Sequence, residues 1–190
     1  MTDLTVLSAP NAPAVSLDLV KDYLGVGHDG EDRLIGDLLQ SAVSRVTQVA
    51  EIALVRQTFE QRWLTWPAEL AGRGARLARR PVRSLLSVGI ERDDGTLEDH
   101  SERFTLASGR VRLRPWSMLP PIASPARARL VFEAGYDDAD SVPADLREAV
   151  LRLVASMYQA RPLVPNDAGL DVSLPADVQA ILNAHDEVRL

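Results

Sequence analysis

The sequence contains no cysteine, a single lysine and few aromatic residues. The absence of cysteine from 190 residues excludes a disulfide framework, thiolate catalysis and Cys-ligated zinc or iron–sulfur centres. No apolar run reaches about 18 residues, so we expect no membrane span and no membrane partner. The first residues, MTDLTVLSAP, lack the basic region and apolar core of a secretory signal, and we therefore expect a protein that stays where it is made, in the cytosol, or in an assembly formed there.

The chain also lacks a positive charge surplus. Its net charge is −6 and its isoelectric point is near 5.1, which argues against wholesale binding of DNA, because neutralising phosphates requires surplus Lys and Arg. Lys21 is the one lysine, and the remaining basic residues are arginine. A length of 190 residues is enough to bury a hydrophobic core without disulfide or metal crosslinks, and it is consistent with one domain that carries additional segments.

The stretch SVPADLREAVLRLVASMYQAR, residues 141–161, predicts the best-defined helix. Ser141 and Pro143 suit the first turn of a helix, and Pro162 ends it. Glu148 and Arg152 form an i,i+4 pair on its polar side. Apolar residues recur at steps of three and four on the opposite face: Leu146, Val150, Leu153, Val154, Met157 and Tyr158. The helix therefore requires a partner to cover that face.

Two more helices are predicted near the amino terminus. The first spans Ser16–Leu24 with Ser16 as its N-cap, and the second, much longer, begins at Asp29. Steps of three and four place these residues of the long helix on one face: Ile35, Leu39, Ala42, Val46, Val49 and Ala53. Such a regular stripe favours packing against other helices.

Between these helical segments the period changes to that of strands. Val55–Trp66 alternates with apolar residues on both sides, and short strands follow at 76–78, 85–92, 104–107, 111–114 and 127–133. Asp93-Asp94-Gly95 is a hairpin signal. Together these patterns predict an α+β fold. We expect a single domain over 1–162, with a helical core from 16–54 and 142–161, a small antiparallel sheet or sandwich inserted at 55–135, and a C-terminal arm over 163–190 that ends in a short helix.

None of the patterns that often carry chemistry has a supporting context. Gly25, Gly27 and Gly30 spell G-x-G-x-x-G, but the preceding residues are helical and charged, which favours a linker between helices over a dinucleotide site. The aspartates at 137, 138 and 140 lack the spacing of calcium ligands, and the histidines at 28, 100 and 185 are isolated. We therefore expect no catalytic residue, no metal and no cofactor.

A local basic stretch leaves several interpretations open. Its members are Arg73, Arg76, Arg79, Arg80 and Arg83. With Trp63, Trp66 and Trp116 in the same region, these arginines could form a nucleic-acid surface, and a DNA-binding accessory protein is our alternative function. The favoured interpretation is a solvated strand edge guarded by charge, and a patch facing a protein partner is the third.

Several stretches resemble the head–tail connector, or adaptor, family of tailed phages, prophages and gene transfer agents. The matching pieces are LDLVKDYLGV, then DRLIGDLLQSAVSRVTQVAEIALVRQTFEQRWLTWP, RRPVRSLLSVGIERDDG and RLVFEAGYDDADSVPADLREAVLRLVASMYQAR, with LPADVQAILNAH resembling the family's C-terminal helix. The most specific are the long helix running into RQTFEQ and the motif F-x-A-G-Y followed by VPADLREAVL. At the end of this helix the family often has Tyr-Glu-x-Arg, where this chain has Tyr158-Gln159-Ala160-Arg161.

The resemblance implies a structural protein of the virion or phage-like particle, not an enzyme. It implies assembly in the bacterial cytoplasm, a twelvefold homo-oligomeric ring at the head–tail interface, docking on a portal protein, and a platform for a stopper or tail-side protein. DNA would pass through the ring without specific binding. The expected portal-docking residues are Leu174, Val178, Ile181 and Leu182, and the expected contacts between subunits are Leu38, Arg45, Gln48 and Arg152.

Overall fold

The computed structural model describes residues 2–160 and 174–185. It confirms the α+β fold class, because the described part of the chain forms helices and two antiparallel sheets. Two compact units divide it. A β unit comprises Met1–Asn11 and Val55–Asp137, and a helical unit comprises Ala12–Leu54 and Asp138–Leu190. The first strand, Thr2–Ser8, precedes the predicted β insertion at 55–135 in the chain but belongs to the β unit.

The described part of the helical unit contains α1 (Leu17–Leu24), α2 (Asp32–Ala50), α3 (Ala144–Ala160) and α4 (Ala176–Ala184). As expected, Ser16 caps α1, since its Oγ accepts a hydrogen bond from the Leu19 amide at 3.2 Å. Gly25 ends α1 in the left-handed conformation, with φ of 71°. This glycine of the G-x-G-x-x-G pattern is therefore a helix cap in a linker, as the sequence indicated.

The long helix is shorter than the sequence predicted. It begins at Asp32 instead of Asp29 and ends at Ala50, where Glu51 turns left-handed with φ of 55°. Ile35, Ala42 and Val46 are fully buried, but Val49, expected on the same stripe, is largely exposed. The reason is that the last turn of α2 presents Ala50 to the core instead. Ala53 is buried beyond the helix end.

Helix α3 buries the apolar face that its period predicted. Leu146, Val150, Leu153 and Val154 have no exposed surface. Helices α2 and α3 contact each other and both contact α1 and α4, so these two helices form the centre of the unit. On its polar side Arg152 bonds Glu148 at 2.6 Å, as the i,i+4 spacing predicted.

The described β unit contains eight strands in two sheets, with a one-turn 3-10 helix at Ala68–Ala71 and another at Ser101–Arg103. The larger sheet has the order β1-β2-β8-β4-β5, and the smaller has the order β3-β7-β6. The bounds are β1 Thr2–Ser8, β2 Gln57–Trp63, β3 Ala75–Arg76, β4 Val82–Glu91, β5 Leu97–Asp99, β6 Phe104–Ala107, β7 Arg110–Leu113 and β8 Arg127–Ala134. The predicted hairpin turn at Asp93-Asp94-Gly95 joins β4 to β5.

The two faces of the larger sheet differ in chemistry. Phe59 lies opposite Phe132 across the β2–β8 pair, and their rings stack with centroids 5.6 Å apart on the buried apolar face. Side chains alternate along a strand, so Glu60 and Arg62 project from the other face. That face is polar and carries the charged side chains of Glu60, Arg62 and Arg129.

Gly135, in the F-x-A-G-Y motif of the sequence, has a backbone role at the end of β8. Its φ is 119°, and a Cβ there would lie 2.4 Å from the Val55 carbonyl oxygen. Its amide donates to the Pro81 oxygen at 2.9 Å, and its own oxygen accepts from Arg83 Nε at 2.9 Å. Only glycine fits both this conformation and this close approach.

Candidate interaction surfaces

The C-terminal helix α4 is packed into the helical unit, which affects the predicted docking residues directly. Val178 and Leu182 are buried, whereas Leu174 and Ile181 are half-buried. Since α4 contacts α2 and α3, these two buried side chains serve the packing of the helical unit itself. The remaining residues of the predicted arm, 163–173 and 186–190, lie outside the described residues.

Two polar links hold α4 on α3. Arg152 Nη1 bonds Asp177 Oδ2 at 2.6 Å, and this hydrogen bond lowers the pKa of Asp177 below its ordinary value of 3.8. His185 Nε2 donates to Asp145 Oδ2 at 2.6 Å. Burial raises the pKa of Asp145, but the hydrogen bond and the charge of His185 outweigh burial, and the pKa is lowered overall. Both carboxylates therefore stabilise the docked helix in their charged form.

The predicted contacts between subunits differ in how accessible they are. Gln48 is exposed on α2, while Leu38 and Arg45 are half-buried, and Arg45 has an interaction partner within the chain. Arg152 is committed to Glu148 and Asp177. The role of these four residues between subunits stays a prediction.

The arginine strip is not an array of unoccupied guanidinium groups. Arg83 Nε donates to the Gly135 oxygen, and its Nη2 lies 3.7 Å from Asp137 Oδ2. Arg79 Nη1 donates to the Ala78 oxygen at 2.7 Å. The other three, Arg73, Arg76 and Arg80, also have partners within the chain. Each arginine of the strip thus already has a partner within the chain, which weakens the nucleic-acid interpretation.

Two of the three tryptophans considered for that interpretation pack against other aromatic rings of the β unit. Trp63 is buried, and Trp66 lies against it with ring centroids 6.2 Å apart. Trp66 also packs on Phe104 at 5.2 Å and donates its indole N–H to the Pro120 oxygen at 2.8 Å. Trp63 therefore offers no free face on which a base could stack, and the half-buried Trp66 is held in place by these contacts.

A network of charges on the polar face of the larger sheet was not anticipated from the sequence. Glu60 is only 4% exposed, yet its carboxylate forms an ion pair with Arg62 at 2.8 Å and accepts a hydrogen bond from Arg129 Nε at 2.6 Å. Arg62 also pairs with Glu91 at 2.9 Å. The alternation of Thr58, Glu60 and Arg62 along β2 was the sequence signal for a polar face of the sheet. Glu91 on β4 and Arg129 on β8 complete the network, and local periodicity does not reveal such distant partners. The network neutralises itself, so it gives no net charge to a ligand.

The third tryptophan, Trp116, is fully exposed, with a relative accessibility of 103%. It lies in the segment between β7 and β8, two residues before Met118, which is 80% exposed. This segment is anchored, since Arg103 Nη1 donates to the Met118 oxygen at 3.2 Å and Trp66 to the Pro120 oxygen. A fixed loop therefore presents two large apolar side chains to solvent.

The described residues offer little for catalysis or metal binding. Two shallow grooves lie beside the β4–β5 turn, and both are lined in part by Arg92, Asp93 and Pro125. Within 2–160 and 174–185, no group of three or more His, Asp or Glu side chains is placed to hold a metal ion. None of the helices in those ranges combines the length and the apolarity needed to span a bilayer.

Comparison with solved structures identifies the fold. A chain in the neck of an empty gene transfer agent particle, computed with C6 symmetry, is 22% identical, with a TM-score of 0.78 and coverage of 99% of this chain and 97% of that one. A chain in the neck of the native particle, computed with C12 symmetry, is 21% identical with a TM-score of 0.76, covering 99% and 97%. A chain from the native virion is 22% identical with a TM-score of 0.77, covering 98% and 96%.

The shared feature is the fold. No protein-family model matches the chain, and no curated protein matches it. The structural similarity extends over nearly the full length of both chains, so it includes the helical unit and the β unit together.

Proposed function

We propose that this protein is a structural adaptor in the neck of a phage-like particle. The main observation that supports this proposal is the similarity in fold, along 98–99% of this chain, to chains from the neck and virion of gene transfer agent particles. The sequence supports the same proposal independently through the stretches that resemble head–tail connectors. Copies of the chain would form a ring under the portal, around the DNA channel, and would present a platform to a stopper or tail-side protein.

The symmetry of the similar particles supports a ring. Their necks were computed with C6 and C12 symmetry, and twelve copies of this chain would satisfy both. A net charge of −6 suits a ring around DNA, because an acidic wall repels phosphates and lets the duplex slide. The protein would act in the particle after assembly in the bacterial cytoplasm, without catalysis.

Docking on the portal would use residues 163–190, which include α4. Because Val178 and Leu182 are buried against the helical unit, the accessible candidates among the four predicted residues are Leu174 and Ile181. We expect α4 to remain on α3 through Arg152 and His185 while Ile181 contributes to the portal contact.

The test is co-expression with the portal protein of the same locus, followed by pull-down and negative-stain imaging. We expect added ring density at the narrow end of the portal. Recovery of the portal alone, with both proteins folded, would contradict the adaptor function.

The docking assignment has its own test within the same assay. Ile181→Arg should lower portal binding at least about tenfold, the loss typical of an interface residue that matters. Asp93→Arg, an exposed charge change in the β4–β5 turn, should bind as the parent does. Unchanged binding both by Ile181→Arg and by a chain lacking 163–190 would refute docking through this segment and leave the ring proposal standing.

A further inference from the structure

The segment that carries Trp116 is built in an unusual way. The Ser117 amide donates to the Arg114 oxygen at 3.1 Å, which closes a β-turn with Pro115 and Trp116 at its centre. Trp116 has φ of 65°, a conformation that type II turns normally assign to glycine at this position. A bulky residue therefore occupies a strained backbone site and exposes its whole ring to water. Neither feature stabilises the isolated chain, so the side chain indicates a binding role.

The surroundings of Trp116 are positively charged. Between Arg103 and Arg129 the chain has six arginines and no acidic residue. Arg103 and Arg114 donate to the backbone oxygens of Met118 and Phe104, and neither has an ion pair with a described carboxylate. The anchored loop thus combines an aromatic side chain, a methionine and guanidinium charges that are not neutralised, a combination typical of binding hot spots.

A surface with the complementary properties lies on α1. Leu19 and Tyr23, one helical turn apart, project from the same face and are 42% and 49% exposed. Asp18 and Asp22 lie beside them, exposed, and neither has an ion pair with a described residue. This surface is apolar at its centre and acidic at its edge.

The two units that carry these surfaces also have net charges of opposite sign. The β unit has 14 basic and 11 acidic residues, a net charge of +3, whereas the helical unit has 7 basic and 16 acidic residues, a net charge of −9. Together they give the −6 of the whole chain. A cyclic ring requires a head-to-tail interface, in which two different patches of one chain meet. Opposite charges on two patches favour that contact and disfavour contact between like patches.

We propose that the loop of Trp116 and Met118 docks on the Leu19–Tyr23 face of α1 in a neighbouring copy of this chain. The proposal rests on the ring of the proposed function and names the interface that closes it. Trp116 would supply the aromatic anchor, and Arg103 and Arg114 would face Asp18 and Asp22.

The absence of cysteine allows a clean crosslinking test. One full-length chain carries Met118→Cys and a second carries Leu19→Cys, and they are mixed in equal amounts with the portal of the same locus and exposed to a short bismaleimide. Since each chain has one cysteine, an intrachain link cannot form. We expect a covalent dimer from the mixture and none from either chain alone.

Trp116→Gly in the Met118→Cys chain is the decisive variant, because glycine suits the positive φ and removes only the side chain. It should keep the fold, with an unchanged or higher melting temperature, and lower the crosslink yield about thirtyfold, as expected for a hot spot. Arg114→Glu should also lower the yield, and Asp22→Arg in the Leu19→Cys chain should restore it.

Other outcomes would overturn the interface. A dimer from the Met118→Cys chain alone would mean contact between like loops, and a yield unaffected by Trp116→Gly would exclude Trp116 as the anchor. If the chain binds the portal but the mixture gives no dimer, the interface is wrong and the adaptor function stands. If the chain does not bind the portal, the proposed function fails, and the same crosslink on the concentrated chains alone decides the interface.

Discussion

Replacement of Gly135 by alanine tests the closest backbone contact in the β unit. The residue has φ of 119°, and an added Cβ would meet the Val55 carbonyl oxygen at 2.4 Å and carbon at 2.5 Å. Placing a residue with a Cβ in the left-handed region costs about 1–2 kcal/mol. Overpacking against a neighbour that cannot move aside costs about 1–3 kcal/mol more. We therefore expect Gly135→Ala to lower the free energy of unfolding by about 3 kcal/mol.

Two other glycines of the β unit allow the cost of the left-handed backbone to be measured without the cost of overpacking. Gly109, with φ of 69°, and Gly95, with φ of 80°, share the left-handed backbone, but a Cβ at either would have no atom within 4 Å. Alanine at these positions should cost about 1 kcal/mol, because the strain is partly offset by the lower entropy of the unfolded chain.

The assay is thermal and urea unfolding followed by circular dichroism and by tryptophan fluorescence. For a chain of 190 residues, about 3 kcal/mol corresponds to a fall in melting temperature of about 6–12 °C, against about 2–4 °C for Gly109→Ala and Gly95→Ala. If Gly135→Ala matched these controls, the close approach of Val55 to Gly135 would be refuted, and the F-x-A-G-Y motif would need a different explanation.

Two further predictions concern charge. Partners in the folded chain hold the pKa values of Asp145 and Asp177 below 3.8, so their contribution to stability is complete above that pH and is lost as the pH falls through the folded values. Acid titration followed at 222 nm should show helix loss setting in below pH 3.8, and Asp177→Asn should reduce that pH dependence; an identical titration would exclude the Asp177 link. The occupied arginine strip predicts no DNA retention on a column at about 0.1 M salt, and salt-sensitive retention abolished by Arg76→Ala would restore the DNA-binding alternative.

The sequence alone determined the elements whose signals are local. The α1 cap at Ser16, the β4–β5 turn at Asp93-Asp94-Gly95 and the buried face of α3 follow from residues a few positions apart, because capping, turn geometry and helical period are short-range properties. The α+β fold class followed from the change of period between these segments. The resemblance to head–tail connectors likewise rested on contiguous stretches.

Tertiary structure decided the properties that depend on distant partners. Strand β1 exists as an edge strand because β2, about fifty residues later, supplies its hydrogen bonds. Glu60 is buried because Arg62 and Arg129 compensate its charge. Val178 and Leu182 appeared accessible for docking in the sequence, yet α2 and α3 cover them.

The three tryptophans show the same limit. Trp63 is buried, Trp66 is half-buried against it, and Trp116 is held outside by a turn that requires positive φ. Composition and period describe which side chains are apolar. Whether an apolar side chain meets the core or the solvent is set by the free energy of packing against residues far away in the chain, and that is known only once the chain is folded.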